Sequence, residues 1–304
     1  MNPTEIFFQQ IINGLTIGMI YALIALGYTM VYGIVQLINF AHGEIFMVGA
    51  YLGLLVYFLL TYLVHTTDAL ILMPAVFIFA MLGASALGMI IERFAYRPLR
   101  DAQRLAPLIT AIGVSFLLQN AVMLIAGPAD KSFPYLMNVK KFPIGNVTFT
   151  NLQVMILLVS VLLMAALQAF VKNTRTGKAM RALADDRQAA SLMGINVNQV
   201  ISIAFLVGSG LAGAGGVMYG MYYNTINFHD GYLVGLKAFT AAVLGGIGNI
   251  PGAMVGGVLM GIVEGLGAGY LSSEWKNVFA FFILILILLF RPSGILGSRV
   301  VKKV

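Results

Sequence analysis

The few residues of this chain that could do chemistry are acids in strongly apolar surroundings. Glu44 follows shortly after His42 in the run Gln36-Leu-Ile-Asn-Phe-Ala-His-Gly-Glu44. A carboxylate near the centre of a bilayer costs roughly 2.5–3.5 kcal/mol, so it implies a partner, a water-filled cavity or protonation. Two readings of Glu44 stand: a pathway-lining or gating group, or a polar cap where two spans turn. Glu264 is the second such acid, and it borders a ladder of small residues, Ala253, Gly257, Gly261, Gly265 and Gly269. Members four apart share one helix face and let another helix approach closely. Tight packing is the expected role of the ladder. Glu264 is either hydrogen-bonded across that contact or part of a pathway.

Other chemistries find no support. The chain has no cysteine, and His42, His65 and His229 are too scattered to form a metal site. No nucleophile–base arrangement stands out. Gly208–Gly216 is glycine-rich but lies inside an apolar run, and Gly177-Lys178 is followed by Ala179 in place of the hydroxyl of a phosphate loop. No cofactor or nucleotide site is expected in this chain. The formal charge of +7 does not point to nucleic acid, because the basic residues gather in a few segments between apolar runs.

The elements that must position these residues are membrane spans. Apolar residues make up 60% of the chain and charged residues 10%, far from an ordinary globular domain. No Lys or Arg precedes Arg93, so the first run lacks the basic start of a cleavable signal and reads as a retained span. Spans are expected at about Ile6–Tyr32, to Val64 after the Asn39–Glu44 interruption, Leu70–Ile91, Ala106–Ala126, Leu152–Val171 and Val200–Tyr223. Glu92–Arg104 is a basic loop, with Arg93, Arg97, Arg100 and Arg104 against Glu92 and Asp101. Gly127–Thr150 contains Pro128, Pro134, Pro143 and Gly145, which predicts turns or short extended pieces. Trp275, Tyr222, Tyr223 and Tyr270 sit at span ends, as interfacial anchors do.

Leu236–Leu271 is too long for one span and is broken at Gly245–Gly252. Leu236–Leu244 is too short to cross a core of about 30 Å at about 1.5 Å per residue; Ala253–Leu271 nearly can. Lys237 opens the short piece and is expected to snorkel to the interface or to face the pathway. A last span covers Val278–Phe290, followed by Arg291, Arg299, Lys302 and Lys303. The three basic segments all belong inside the cell. That requires an outer amino terminus, an inner carboxyl terminus, and eight full spans plus one short or re-entrant helix. Irregular backbone at membrane depth is tolerated only where it is buried in protein or lines a cavity. Asn39, His42, Glu44, Gly245, Gly246, Asn249 and Glu264 are therefore the pathway candidates.

Residues 172–199 form a polar, helix-prone island that carries Lys172, Arg175, Lys178, Arg181 and Arg187 against Asp185 and Asp186. Ala179, Met180, Leu183 and Ala184, then Ala190, Leu192 and Met193, recur at helical spacing, with Gly194 as a stop. One or two short helices outside the bilayer, presented to a soluble partner, are expected.

Three stretches carry a resemblance. Gln188-Ala-Ala-Ser-Leu-Met-Gly194 resembles the cytoplasmic loop of ABC importer permeases, with glutamine where many members have glutamate. Thr174–Asp186 with Gly194-Ile-Asn-Val197, Ile38–Glu44 and Gly245–Gly252 all resemble the branched-chain amino-acid permease family, and its H-type subunits in particular. The resemblance implies an all-α polytopic permease forming a single transmembrane domain over 1–304. It implies a homologous second permease subunit as partner, two cytoplasmic ATPase subunits that hold ATP and magnesium, and a periplasmic amino-acid-binding protein. The setting would be the bacterial inner membrane, with the amino terminus periplasmic and the carboxyl terminus cytoplasmic. The chain itself would not be an enzyme. Its coupling contacts would be Arg181, Ala182, Asp185, Asp186, Arg187, Gln188, Ala189 and Gly194, on a short helix seated in a cleft of the ATPase. Cargo within the family extends to urea and short amides, and a self-sufficient proton-coupled carrier is the rival of a different class.

Overall fold

A computed structural model describes residues 2–65, 68–100, 102–103, 105–291 and 293–297. Asp101, Arg104, Arg299, Lys302 and Lys303, counted above among the charges, lie outside the described residues, as does part of the His65–Asp68 turn. The architecture is a helical bundle with two small strand pairs at one end.

The long helices are α1 (Pro3–Val35), α2 (His42–Leu63), α3 (Ala69–Ile91), α4 (Leu105–Ala126), α5 (Asn151–Asn173), α8 (Val197–Tyr223) and α10 (Ile250–Tyr270). Among the described residues, seven helices are long and apolar enough to cross a membrane. The expected eighth span is α11 (Lys276–Phe290); its 15 residues cover about 22 Å at about 1.5 Å per residue. The short helix is α9 (Asp230–Gly245). It begins six residues before the apolar run at Leu236, because Tyr232, Leu233 and Val234, set between Gly231 and Gly235, already belong to the helix.

The core lies around α1 and α8, whose central stretches are the most buried of the seven long helices. The glycine ladder of α10 packs antiparallel on Gln10, Gly14, Gly18 and Ala22 of α1, which repeat at the same spacing of four. A Cβ on Gly14 would come within 2.6 Å of the Gly261 carbonyl, and one on Gly18 within 2.9 Å of the Gly257 carbonyl. Only hydrogen fits at these points, so the ladder does what the sequence predicts of it. The glycine-rich run of α8 serves close packing too, meeting Gly27 of α1, Ala50 of α2, and Ala80 and Ala84 of α3. Helix α4 lies at the margin, with only Pro107, Ala111 and Ser115 buried.

The expected basic loop after α3 is a correction. The helix continues through one π turn (Glu92–Tyr96) and one 3-10 turn (Arg97–Leu99). Two of its charges, Glu92 and Arg100, are satisfied internally, while Arg93 and Arg97 are exposed. Glu92 is buried, pairs with Arg100 and accepts from Ser202 Oγ at 2.7 Å. Arg100 also donates to Asn198 Oδ1 at 2.6 Å. Paired charges leave the chain no reason to unwind.

At the end away from the island, β2 (Lys141–Ile144) and β3 (Val147–Thr150) form an antiparallel hairpin, and β1 (Lys131–Ser132) pairs with β4 (Thr225–Ile226). Gln9 of α1 exchanges two 2.9 Å hydrogen bonds with Thr148. The short extended pieces expected there are present.

Candidate translocation pathway and coupling surface

Both expected breaks are real. Helix α1 ends at Gln36, whose φ of 56° is left-handed, and α2 restarts at His42. In the turn between them Asn39 Oδ1 accepts from Ala41 N at 3.1 Å and from Tyr96 Oη at 2.9 Å. His42 then packs on Gly27 and edge-on against Tyr28, so α2 starts well inside the bundle. The second break follows Gly246, whose φ of 107° demands glycine. Asn249 caps α10 by accepting from Gly252 N at 3.1 Å, with Pro251 in the first turn. Its amide also donates to the Leu296 carbonyl at 2.6 Å.

The breaks share one cavity. An open vestibule of about 1190 Å³ is lined from the first by Gln36 and Ile38, from the second by Gly248 and Asn249, and from the island by Lys172 and Arg181. Phe239, Ile247 and Tyr32 mark its deep end and also border a smaller pocket that reaches Tyr28. Tyr28 in turn walls a further cavity of about 50 Å³, with Phe40, Ser115, Phe116, Gly231 and Leu236. Tyr28 thus stands between the vestibule and a polar spot deeper in the bundle.

That polar spot is Glu44, 1% exposed. Its Oε1 accepts from Ser115 Oγ at 3.1 Å, while Oε2 has no partner among the described residues. The carboxylate lies against Gly231, where a side chain would collide with it.

The remaining pathway candidates sit in packing. Gly245 meets Gly252, Gly246 meets Gly294 and Gly297, and Asn39 and His42 are buried in the turn. Glu264 is 2% exposed and fully partnered: Oε1 lies 2.8 Å from Lys237 Nζ, and Oε2 accepts from Tyr21 Oη at 2.8 Å. Lys237 therefore does not snorkel. The ion pair holds it inside, and its ammonium also lies 5.9 Å from the Tyr21 ring centre.

The island folds as the sequence predicts, into α6 (Arg175–Asp185) and α7 (Arg187–Leu192). Three caps set its boundaries. Thr174 caps α6 through Gly177 N, Asp186 caps α7 through Gln188 N and Ala189 N, and Asn196 caps α8 through Gln199 N. Arg181 reaches back to the carbonyls of Val171 and Lys172, tying α6 to the end of α5. Met180, Leu183 and Ala190 face the bundle. Leu192 and Met193, read from the sequence as part of that apolar face, do not: they are 89% and 83% exposed. Gly194, at φ 82°, turns the chain there and carries them to the tip. Ala182 is half-buried, whereas Asp185, Arg187, Gln188 and Ala189 are exposed beside that tip.

Comparison with known proteins decides the family. The pattern described as "Branched-chain amino acid transport system / permease component" matches residues 10–288. The chain belongs to this family. The permease is 48% identical over 303 residues to the high-affinity branched-chain amino acid transport system permease protein LivH of Salmonella typhimurium, covering 98% of each chain. BraD of Pseudomonas aeruginosa, a permease protein of the same description, matches with the same identity and coverage. A more distant relative is the probable branched-chain amino acid transport permease protein LivH of Methanocaldococcus jannaschii, 28% identical over 288 residues and covering 90% of this chain and 88% of its own. The permease is a multi-pass membrane component of an ABC importer system, of the same kind as these transport proteins.

Proposed function

We propose that this permease carries leucine, isoleucine or valine across the bacterial inner membrane as one half of a pore driven by ATP. The observation that carries the reading is the near-full-length identity with LivH and BraD. Its partners are a homologous second permease subunit, two cytoplasmic ATPase subunits that hold ATP and magnesium, and a periplasmic amino-acid-binding protein. The chain itself binds no cofactor and performs no hydrolysis.

The basic end of the bundle faces the cytoplasm. Ser293 to Gly297 lies at that same end, since Ile295 and Leu296 hydrogen-bond to Leu244 and Gly245 and the segment borders the vestibule. The hairpin end and the start of α1 then lie on the periplasmic side. The α6–α7 loop is the coupling element. Leu192 and Met193 enter an apolar cleft of the ATPase, while Ala189 and Gly194 permit close approach and Asp185, Arg187 and Gln188 border the contact. Arg181, Ala182 and Asp186 stiffen the loop from behind, through the helix-end bonds and cap described above. A stiff loop transmits rigid-body motion to α5 and α8, and so to the vestibule.

Reconstitution tests this. Proteoliposomes containing the co-purified transporter should accumulate leucine only with ATP and the binding protein. Uphill uptake by the isolated chain, driven by a pH gradient alone, would overturn it.

A further inference from the structure

We propose that Glu44 is the residue that recognises the α-ammonium group of the amino acid in transit. The inference rests on the function proposed above. A carboxylate with one oxygen unpartnered in a membrane interior is costly unless it is neutralised by a proton, met by water or paired with a cation. Two buried cations of the bundle are engaged elsewhere: Lys237 is held by Glu264, and Arg100 by Glu92. The cation that Oε2 lacks among the described residues is one the cargo brings.

The surroundings fit a zwitterion with an apolar side chain. Ser115, which donates to Oε1, and Gly231, which lies against the carboxylate, both wall the adjacent cavity. Most of the remaining wall is apolar or aromatic, with Phe40, Ile112, Phe116 and Leu236 beside Tyr28 and Tyr232, a surface for an aliphatic side chain. Helices α2 and α9 both begin here, since Gly43 packs on Gly231 and Gly235. Gly231 has to be glycine because any side chain would displace the Glu44 carboxylate.

At about 50 Å³ the cavity holds one or two waters. The cargo enters when it widens, and α4, which contributes Ser115 and Phe116 and lies at the margin of the bundle, is the wall with least of the bundle behind it.

The test is competition binding of radiolabelled leucine to the purified complex of this permease with its partner subunits. The competitors are leucine and 2-hydroxy-4-methylpentanoate, in which a hydroxyl replaces the ammonium. The unmutated complex should bind leucine at least tenfold more tightly than the hydroxy acid. Glu44→Gln should reduce leucine to the affinity of the hydroxy acid and leave the latter unchanged, while Glu44→Asp should keep part of the preference. Equal weakening of both ligands would mean that Glu44 only shapes the pocket, and would overturn the proposal. So would unaltered binding by Glu44→Gln, or no leucine binding by a complex that still drives uptake. A complex that drives no leucine uptake at all contradicts the proposed function instead.

Discussion

Lys237 Nζ lies 2.8 Å from Glu264 Oε1 inside the bundle, and Tyr21 closes the pair by donating to the other carboxylate oxygen. Tyr21 is near the middle of α1, so this contact joins α1, α9 and α10 at mid-depth. Helix α9 is short, at 16 residues, and most of it is buried in the bundle. The ion pair fixes its position against α10.

Removing one partner should therefore be worse than removing both. Lys237→Met or Glu264→Gln alone leaves a buried charge uncompensated, with an expected cost of about 3–5 kcal/mol. The double substitution Lys237→Met with Glu264→Leu should recover most of that loss. Thermal unfolding of the purified transporter and the amount of protein in the membrane measure it. A double variant as unstable as the sum of the singles would show that the two side chains do not act as a pair.

The contact of α1 with α10 makes a second demand. A Cβ on Gly261 would run into the backbone of Gly14 and Gly18. Gly261→Ala should cost about 1–3 kcal/mol through overpacking, against the usual gain from replacing a helical glycine. Gly113→Ala, on a face of α4 with nothing within 4 Å, is the control and should be neutral or slightly stabilising. Equal melting temperatures for the two variants would contradict the close approach.

Much of this was legible in the sequence, because the signals were local. Spacing of four marks the ladder, and Thr174, Asp186 and Asn196 punctuate the island as caps. Gly245–Gly252 announces its own break. What was not legible needed partners distant in the chain. Lys237 looks like a snorkelling residue until Glu264, 27 positions later, is seen beside it. Glu92 and Arg100 look like a solvated loop until Ser202 and Asn198 meet them. Leu192 and Met193 continue a helical pattern in sequence, and only the turn at Gly194 sends them outward. Ser115 and Gly231 carry no signal of their own; their role follows from Glu44.

The exposed tip of the island gives a third prediction. Two large apolar side chains in water at the end of a rigid loop would each gain about 1.5–3 kcal/mol on full burial in a partner. Leu192→Ser or Met193→Ser should weaken capture of the ATPase subunits by roughly 10- to 100-fold. The permease itself should stay in the membrane at normal levels, since neither side chain packs on the bundle. Undiminished co-purification of the ATPases would remove the docking role of the tip.

The last prediction concerns how movement at that tip reaches the pathway. Tyr96, on the π turn after α3, donates to Asn39 Oδ1 in the α1–α2 turn. The same π turn carries Glu92, which with Arg100 grips Ser202 and Asn198 at the start of α8, directly after the island. A chain of hydrogen bonds thus runs from the foot of the coupling loop to the turn just ahead of His42 and Glu44. Single π turns of this kind recur at functional sites. Asn39→Ala removes both bonds to the turn and should cost about 1–3 kcal/mol and slow ATP-driven uptake. Tyr96→Phe removes only one bond and should cost about 1 kcal/mol, with a smaller effect on uptake. If the two side chains act through their shared bond, the double variant should be less impaired than the sum of the singles. Strict additivity in both stability and uptake rate would show that the π turn and the α1–α2 turn move independently.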